Sequence, residues 1–274
     1  MNAPLIIGHR GASAVAPENT LAALDRALSD GADGVEFDVR LARDGVPVVV
    51  HDATLRRTAS RPEPVASLTS AELRRTDAGS WFNRRFPALA RDEYAREGVP
   101  TLSAALELMA PRARVVYVEL KCEEAGEYPR LAREVVGRIR ELGLTGSAVV
   151  KSFEHAAVRE ARRLAPEIRA AALFDAGLGR PFISARQAVE RTLACDAQEV
   201  SLHHALVRGR VVEAARLHGL DTITWTVNAE TWAGRALRLG LRAVITNRPA
   251  ELRAALDEIV SGSKFRVSSS GEVG

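Results

Sequence analysis

The chain alternates short apolar, β-branched runs with stretches whose apolar residues recur at helical spacing. The short runs are typical of buried strands, and the stretches between them are typical of amphipathic helices. Strand, helix and strand in repetition predict a parallel sheet, and eight such strands predict a closed (β/α)8 TIM barrel. The eight predicted strands begin at Leu5, Gly34, Arg114, Ser147, Arg169, Glu199, Asp221 and Arg242.

A ninth apolar run, "VPVVVHD", follows the second strand directly after an Asp-Gly dipeptide. Asp-Gly between two β runs predicts a hairpin, and strands joined this tightly must be antiparallel. We therefore expect a ribbon over residues 41–50 that rises from the barrel mouth and folds back. With Asp44 and Gly45 as a two-residue turn, the register places His51 opposite Asp38.

The spacing between the second and third barrel strands predicts an insertion. These strands begin 80 residues apart, whereas the others begin about 20 to 30 residues apart. The excess, residues 52–100, is expected to lie over the barrel mouth, with Thr69 or Ser70 capping a short helix. We expect Trp81 and Phe82 to form a small core within this insertion or, alternatively, to line a substrate cleft.

Composition indicates an ordinary globular protein. A chain of 274 residues with 46% hydrophobic residues can bury a core that needs no disulfides. Residues 1–261 are predicted to form a single barrel domain, and the small, polar residues 262–274 a disordered tail. The spacing of Cys122 and Cys195 indicates neither a disulfide framework nor a metal site, so both are expected to be reduced thiols.

The net charge and the hydropathy of the chain limit the kinds of molecule that it is expected to bind. The formal net charge is +3, and the arginines are spread along the predicted helices, which indicates solvated helix faces rather than a nucleic-acid surface. The opening "MNAPLIIGHR" lacks the basic and apolar segments of a signal peptide, and no apolar run of membrane-spanning length is present. We therefore expect a cytoplasmic protein with a small-molecule substrate; its oligomeric state does not follow from the sequence.

Polar side chains gather where the predicted strands end, which is where this fold carries its catalytic groups. Three of them are carboxylates, which are costly to bury unless cations or a metal ion balance them. Oxygen ligands favour Mg²⁺ or Ca²⁺, histidines suit proton transfer near neutral pH, and cationic side chains suit a phosphate. The candidates are His9, Arg10, Glu36, Asp38, His51, Glu119, Lys121 and Trp225.

Each candidate taken alone has a structural explanation. The first histidine is compatible with a capped turn, and the carboxylates are compatible with buried ion pairs. Their convergence at one end of the barrel favours a functional site instead. By contrast, His155, His203 and His204 are expected to be polar residues with satisfied hydrogen bonds rather than ligands.

The segments "GHRGASAVAPENTLAAL", "GADGVEFDVRLARDGVPVVVHD", "VELK", "KSF" and "TWTVN" together resemble the glycerophosphodiester phosphodiesterase family. The resemblance runs from Gly8 to about Pro249, with the motifs in order and at matching spacing. It implies metal binding by Glu36, Asp38 and Glu119, acid–base catalysis by His9 and His51, phosphate contacts from Arg10 and Lys121, and a glycerol-side contact from Trp225.

The resemblance also implies cleavage of glycerophosphodiesters to glycerol 3-phosphate and an alcohol with a divalent cation, Mg²⁺ or Ca²⁺. One position departs from the family pattern, because "TNRP" places Asn247 where an aspartate is usual. This change is expected to affect the rate or the head-group preference. Two alternatives remain open: a phospholipase D-type or lyase activity on lysophospholipids, and a barrel that binds a phosphorylated ligand, or a basic polymer, without turnover.

Overall fold

A computed structural model describes residues 3–122, 126–176 and 183–262, and it confirms the predicted barrel. Eight parallel strands form a ring that closes because the first strand pairs with both the second and the last. The strands are β1 Leu5–His9, β2 Gly34–Leu41, β3 Pro47–Val49, β4 Val115–Leu120, β5 Ala148–Ser152, β6 Arg169–Phe174, β7 Glu199–His203, β8 Asp221–Trp225 and β9 Ala243–Thr246.

Helices surround the ring, and three short ones lie between β3 and the helix that precedes β4. Thr20 caps the first helix by accepting a hydrogen bond from the amide of Ala23. The helices are α1 Leu21–Ser29, α2 Arg56–Ala59, α3 Ser70–Arg74, α4 Ser80–Arg85, α5 Leu102–Met109, α6 Tyr128–Glu141, α7 His155–Leu164, α8 Ala185–Ala194, α9 Gly209–Leu217, α10 Trp232–Leu239 and α11 Pro249–Val260.

Strand β2 is buried on both faces, and its two faces carry different chemistry. Val35, Phe37 and Val39 belong to the apolar core between the barrel and its helices. Glu36 and Asp38 alternate with them, so their side chains point toward the barrel axis. The period of two therefore delivers two carboxylates to the interior of the barrel without interrupting the outer core.

The ribbon of β2 and β3 is antiparallel, as predicted, but its register was predicted wrongly. Leu41 pairs with Pro47, because residues 43–45 form a three-residue turn instead of a two-residue one. Gly45 takes a left-handed conformation, with φ of 81°, that suits a turn of this length. The shift of one residue places Val50, not His51, opposite Asp38, and the amide of Val50 donates to the Asp38 carbonyl.

The segment between β3 and α5 packs on the ribbon and on α1. Thr69 caps α3 in a capping box with Glu72, which confirms one of the two expected caps. Phe82 is fully buried and packs edge to face on Tyr94, in a cluster that also contains Ala16 and Ala23. The aromatic residues of this segment therefore belong to a core shared with the first helix, rather than to an isolated one.

Other expectations concern the cysteines, the tail and the membrane. Cys195 is buried and Cys122 is half-buried. Of the predicted disordered tail, everything from residue 263 onward lies outside the described residues. Within the described ranges, no helix has the length and apolar character needed to cross a bilayer.

Candidate active site

Three carboxylates meet inside the C-terminal half of the barrel. Glu36 and Asp38 come from β2 and Glu119 from the neighbouring β4, where it lies in register with Asp38. All three are buried, at 0%, 1% and 5% exposure. One ligand oxygen from each lies within 4.8 Å of the others. The structure thus brings together the three residues that the sequence singled out as candidate metal ligands.

Three cationic side chains surround this carboxylate cluster. Lys121 Nζ lies 3.2 Å from Asp38 and 2.5 Å from Glu119, and Arg10 Nε lies 3.0 Å from Asp38. Lys151, which is buried at 2% exposure, places its Nζ 2.8 Å from Glu36 and 3.7 Å from Glu119. Three negative charges are therefore balanced by three positive ones.

The carboxylates differ in how readily they ionise. Burial opposes ionisation of Asp38, but Arg10 and Lys121 outweigh it and hold its pKa well below the usual range. Burial also opposes ionisation of Glu36, but Lys151 and His9 together outweigh it and lower its pKa. Burial and the neighbouring Asp38 charge raise the pKa of Glu119 to about 7. Glu119 is therefore the member of the cluster that exchanges a proton near neutral pH.

His9 ends β1 beside the carboxylate cluster. Its Nε2 lies 3.9 Å from Glu36, and its Nδ1 lies 2.7 Å from Asn247 Oδ1. Because an amide oxygen only accepts, Nδ1 carries the proton and Nε2 is left as the acceptor. Burial lowers the pKa of His9, which favours the neutral ring. The chain then turns at Gly11, where φ is 85° and any Cβ would overlap the backbone of Ala23.

His51 follows the ribbon directly, after Val50. Its Nδ1 lies 2.6 Å from Asp52 Oδ1, which fixes the proton on Nδ1 and leaves Nε2 free. Burial lowers the pKa of His51, while the charge of Asp38 raises it. The predicted proximity of this imidazole to the carboxylates is therefore met, although the register behind the prediction was wrong.

Trp225 lies at the end of β8, on the opposite wall of the barrel mouth. Its ring packs edge to face on Phe153 and on His203. Its Nε1 is buried and has no hydrogen-bond partner among the described residues. The indole therefore offers an apolar face and an unused donor at the mouth.

The three histidines expected to be satisfied differ. His155 Nε2 lies 3.2 Å from the Leu173 carbonyl, and His203 Nδ1 accepts from the amide of Ala205. The Nδ1 of His204, however, is buried without a hydrogen-bond partner in the described part of the chain. The expectation that all three histidines have satisfied hydrogen bonds is therefore wrong for Nδ1 of His204.

Sequence reasoning missed several residues at this site. Lys151 lies in register with Glu119, and a lysine inside an apolar strand was the available signal. Asn19 has φ of 59°, donates to Asp38 Oδ2 at 2.9 Å and accepts from the Asp38 amide. Glu18 receives Arg10 Nη1 at 2.7 Å. Glu18 and Asn19 belong to the "PENT" segment, to which the family resemblance assigned no role.

The carboxylate cluster fits a hard divalent cation. Glu36 Oε1, Asp38 Oδ1 and Glu119 Oε1 are buried and accept no well-directed hydrogen bond from the described residues. The lysine ammonium groups near them make ionic contacts at 2.5 to 3.2 Å, but without hydrogen-bond geometry. Three convergent carboxylate oxygens with unused acceptor capacity are the donor set that Mg²⁺ and Ca²⁺ prefer.

Comparison with known proteins identifies the family. Residues 9–251 match the family model of the glycerophosphoryl diester phosphodiesterase family. A glycerophosphodiester phosphodiesterase of Caldanaerobacter subterraneus is 32% identical over 248 residues, which cover 90% of this chain and 96% of that protein.

Solved structures of similar proteins support the same family. A phosphodiesterase of Oleispira antarctica, in complex with its product sn-glycerol-3-phosphate, is 32% identical with a TM-score of 0.81, covering 93% of this chain and 97% of that one. The glycerophosphodiester phosphodiesterase of Agrobacterium tumefaciens is 31% identical with a TM-score of 0.74, covering 92% and 99%. The chain described here therefore belongs to the glycerophosphodiester phosphodiesterase family of phosphoric diester hydrolases.

Proposed function

We propose that this enzyme cleaves glycerophosphodiesters to glycerol 3-phosphate and an alcohol, with a divalent cation and with proton transfer by His9 and His51. The observation that carries the proposal is the carboxylate cluster of Glu36, Asp38 and Glu119, together with His9 and His51, each of which uses Nδ1 in a hydrogen bond and leaves Nε2 available for proton transfer. The bound product of the Oleispira antarctica relative supports glycerol 3-phosphate as the product here.

The cation would be held by the carboxylate cluster. Mg²⁺ and Ca²⁺ both suit an all-oxygen set, and the bound ion would act as a Lewis acid on a phosphoryl oxygen. When all three carboxylates are ionised, Arg10, Lys121 and Lys151 balance their charge, and a bound divalent ion would add two positive charges. That excess suits a phosphodiester anion that gains further negative charge in the transition state.

Arg10 and Lys121 would orient the phosphate. Both side chains are only partly exposed, at 17% and 15%, and both contact Asp38, which holds them at the mouth side of the carboxylate cluster. Burial lowers the pKa of Lys121, but Asp38 and Glu119 outweigh it, so the ammonium group stays charged. Trp225 would cover the glycerol side of the substrate with its apolar face.

The two histidines have different partners, and this supports different roles. The Asp52 carboxylate stabilises the positive charge that His51 acquires when it accepts a proton, so His51 would be the base toward the nucleophile. His9 would then protonate the leaving alkoxide, and for this step its ring must first take up a proton from solvent on Nε2, the atom that faces Glu36. The nucleophile would be water or the adjacent glycerol hydroxyl, and the second route would pass through a cyclic phosphate.

The first test is turnover of glycerophosphocholine and glycerophosphoethanolamine, with glycerol 3-phosphate followed by a coupled dehydrogenase. We expect activity with Mg²⁺ or Ca²⁺, none with EDTA, and a loss of about 10²–10⁴ in kcat for His9→Ala and for His51→Ala. A matched control is His218→Ala, an exposed histidine on the outer end of α9. Near-full activity of both variants would contradict the assignment, and turnover only of lysophospholipids would favour the phospholipase D-type alternative.

A further inference from the structure

Arg57, in α2 of the inserted segment, joins two carboxylates that each hold a side chain of the active site. Its Nε donates to Asp52 Oδ2 at 2.7 Å. Its Nη1 and Nη2 donate to the two oxygens of Glu18 at 2.6 and 2.7 Å. All three guanidinium nitrogen atoms are therefore engaged, and the pair with Glu18 is bidentate.

Beyond each carboxylate lies one of the residues given a role above. Asp52 Oδ1 receives Nδ1 of His51 at 2.6 Å, and Glu18 Oε1 receives Nη1 of Arg10 at 2.7 Å. One guanidinium group thus stands at the centre of an unbroken chain that runs from the imidazole through Asp52, Arg57 and Glu18 to Arg10. The chain links the inserted segment to the proton-transfer group and to the phosphate-binding group.

The contacts also explain why the two carboxylates stay ionised. Burial raises the pKa of Asp52, but the hydrogen bonds from Arg57 and His51 outweigh it and lower the value to about 2. Glu18 has a lowered pKa as well, because the same guanidinium group and Arg10 outweigh its burial. Without Arg57, Asp52 would lose the partner on Oδ2 that sets which oxygen faces His51.

We propose that Arg57 is a positioning residue through which the inserted segment fixes the Nδ1–H tautomer of His51 and the orientation of Arg10. The inference rests on the roles proposed above for those two residues. A lysine cannot replace the guanidinium group fully, because one ammonium group cannot make a bidentate pair with Glu18 and also reach Asp52.

A purely structural role for Arg57 makes different predictions. Its side chain is 42% exposed, and ion pairs at this exposure add little to the free energy of unfolding. If Arg57 only anchored α2, its removal would change activity in proportion to stability. If it positions the two groups, turnover falls while the melting temperature hardly changes.

The test compares Arg57→Met, Arg57→Lys and a control, Arg56→Met, which removes the exposed neighbouring arginine of the same helix. We expect Arg57→Met to lower kcat by about 10- to 100-fold, as loss of an outer partner of a functional group usually does. KM should rise because Glu18, no longer held by Arg57, orients Arg10 less firmly. Arg57→Lys should recover part of kcat, and Arg56→Met should match the wild type.

A second readout does not depend on turnover. The ¹⁵N shifts of the His51 ring should report protonation at Nδ1 in the wild type and a mixture of tautomers in Arg57→Met. Asp52→Asn should give a similar mixture, and Arg57→Met should change it no further in that background. Unaltered kcat together with an unaltered tautomer would overturn the proposal. If the wild type cleaves no glycerophosphodiester, the proposed function fails, while the ring shifts still decide the role of Arg57.

Discussion

Both ends of the barrel bury carboxylates among cations, but the carboxylate oxygens have different hydrogen-bond partners at the two ends. At the N-terminal end, Glu199 at the start of β7 is fully buried and uses both oxygens. Tyr117 donates its hydroxyl to Oε2 at 3.0 Å, and Arg169 and Arg242 contact Oε1 at 3.2 and 3.1 Å. At the C-terminal end, each member of the carboxylate cluster keeps one oxygen without a directed hydrogen bond.

This difference indicates which buried carboxylates stabilise the fold and which take part in catalysis. A buried oxygen without a hydrogen bond costs free energy, so folding alone would select partners for it, as it does for Glu199. In the carboxylate cluster, three oxygens within one small volume have ionic contacts with lysines in place of directed hydrogen bonds. In this fold, the C-terminal strand ends are where function is located and the opposite end is where stability is located. The predictions below test this division directly.

The largest effect is expected from Glu119→Gln. Loss of one carboxylate of the cluster removes a cation ligand, and Lewis-acid stabilisation of several kcal/mol corresponds to at least about 10³-fold in kcat/KM. Without added metal, the free energy of unfolding should be unchanged or higher, because ionisation of Glu119 is disfavoured by burial and by Asp38. Steady-state kinetics measures the loss of activity, and thermal unfolding without metal measures the change in stability. A fall in both activity and stability would contradict the proposed division between a catalytic and a stabilising end of the barrel.

Glu199→Leu should show the opposite pattern. The Tyr117 hydroxyl is buried, and it would lose its acceptor at a cost of about 2 kcal/mol in the free energy of unfolding. For a chain of this size, that is roughly 4–8 °C in melting temperature. Activity at 25 °C should stay within about twofold, because Glu199 lies at the N-terminal end of the barrel and the carboxylate cluster at the C-terminal end.

A double-mutant cycle sharpens the second prediction. If the cost comes from the orphaned hydroxyl, Tyr117→Phe in the Glu199→Leu background should recover part of the lost stability. Denaturant unfolding of the four proteins measures the coupling. Strict additivity would show that the cost comes instead from Arg169 and Arg242, which lose their shared carboxylate.

The fold and the inward-facing carboxylates could be predicted from sequence because both depend on local periodicity. The eight strand starts and the alternation of Glu36 and Asp38 with Val35 and Phe37 follow from a period of two. The ribbon register could not be predicted in the same way. It depends on whether Gly45 adopts a left-handed conformation, and an Asp-Gly dipeptide is compatible with turns of two and of three residues.

The contacts that hold the active-site residues in place could not be predicted from the sequence. Arg57 meets Glu18 across 39 positions of the chain, through packing of the inserted segment against the first loop. No periodicity connects such residues, so only the tertiary structure brings them together. Lys151 is an intermediate case: its strand was predicted, but its pairing with Glu36 depends on strand order and register around the barrel.

The smallest effect concerns the pH dependence of cation binding. Because the pKa of Glu119 is raised from 4.5 to about 7, the folded protein holds a proton there between these values, whereas the unfolded chain has released it. Glu119 therefore makes the metal-free protein less stable as pH rises through this window. A cation must displace the same proton, so its apparent affinity should fall about tenfold per pH unit below 7.

Calorimetric titration with Mg²⁺ or Ca²⁺ in two buffers of different ionisation enthalpy measures this linkage. We expect release of about one proton per bound ion at pH 6 and much less at pH 8. Glu199→Leu should reproduce that pattern, since Glu199 lies at the other end of the barrel. Glu119→Gln should bind more weakly and lose most of the proton release. Equal proton release in both variants would mean that the proton leaves another group, and the division between the two ends would lose its electrostatic basis.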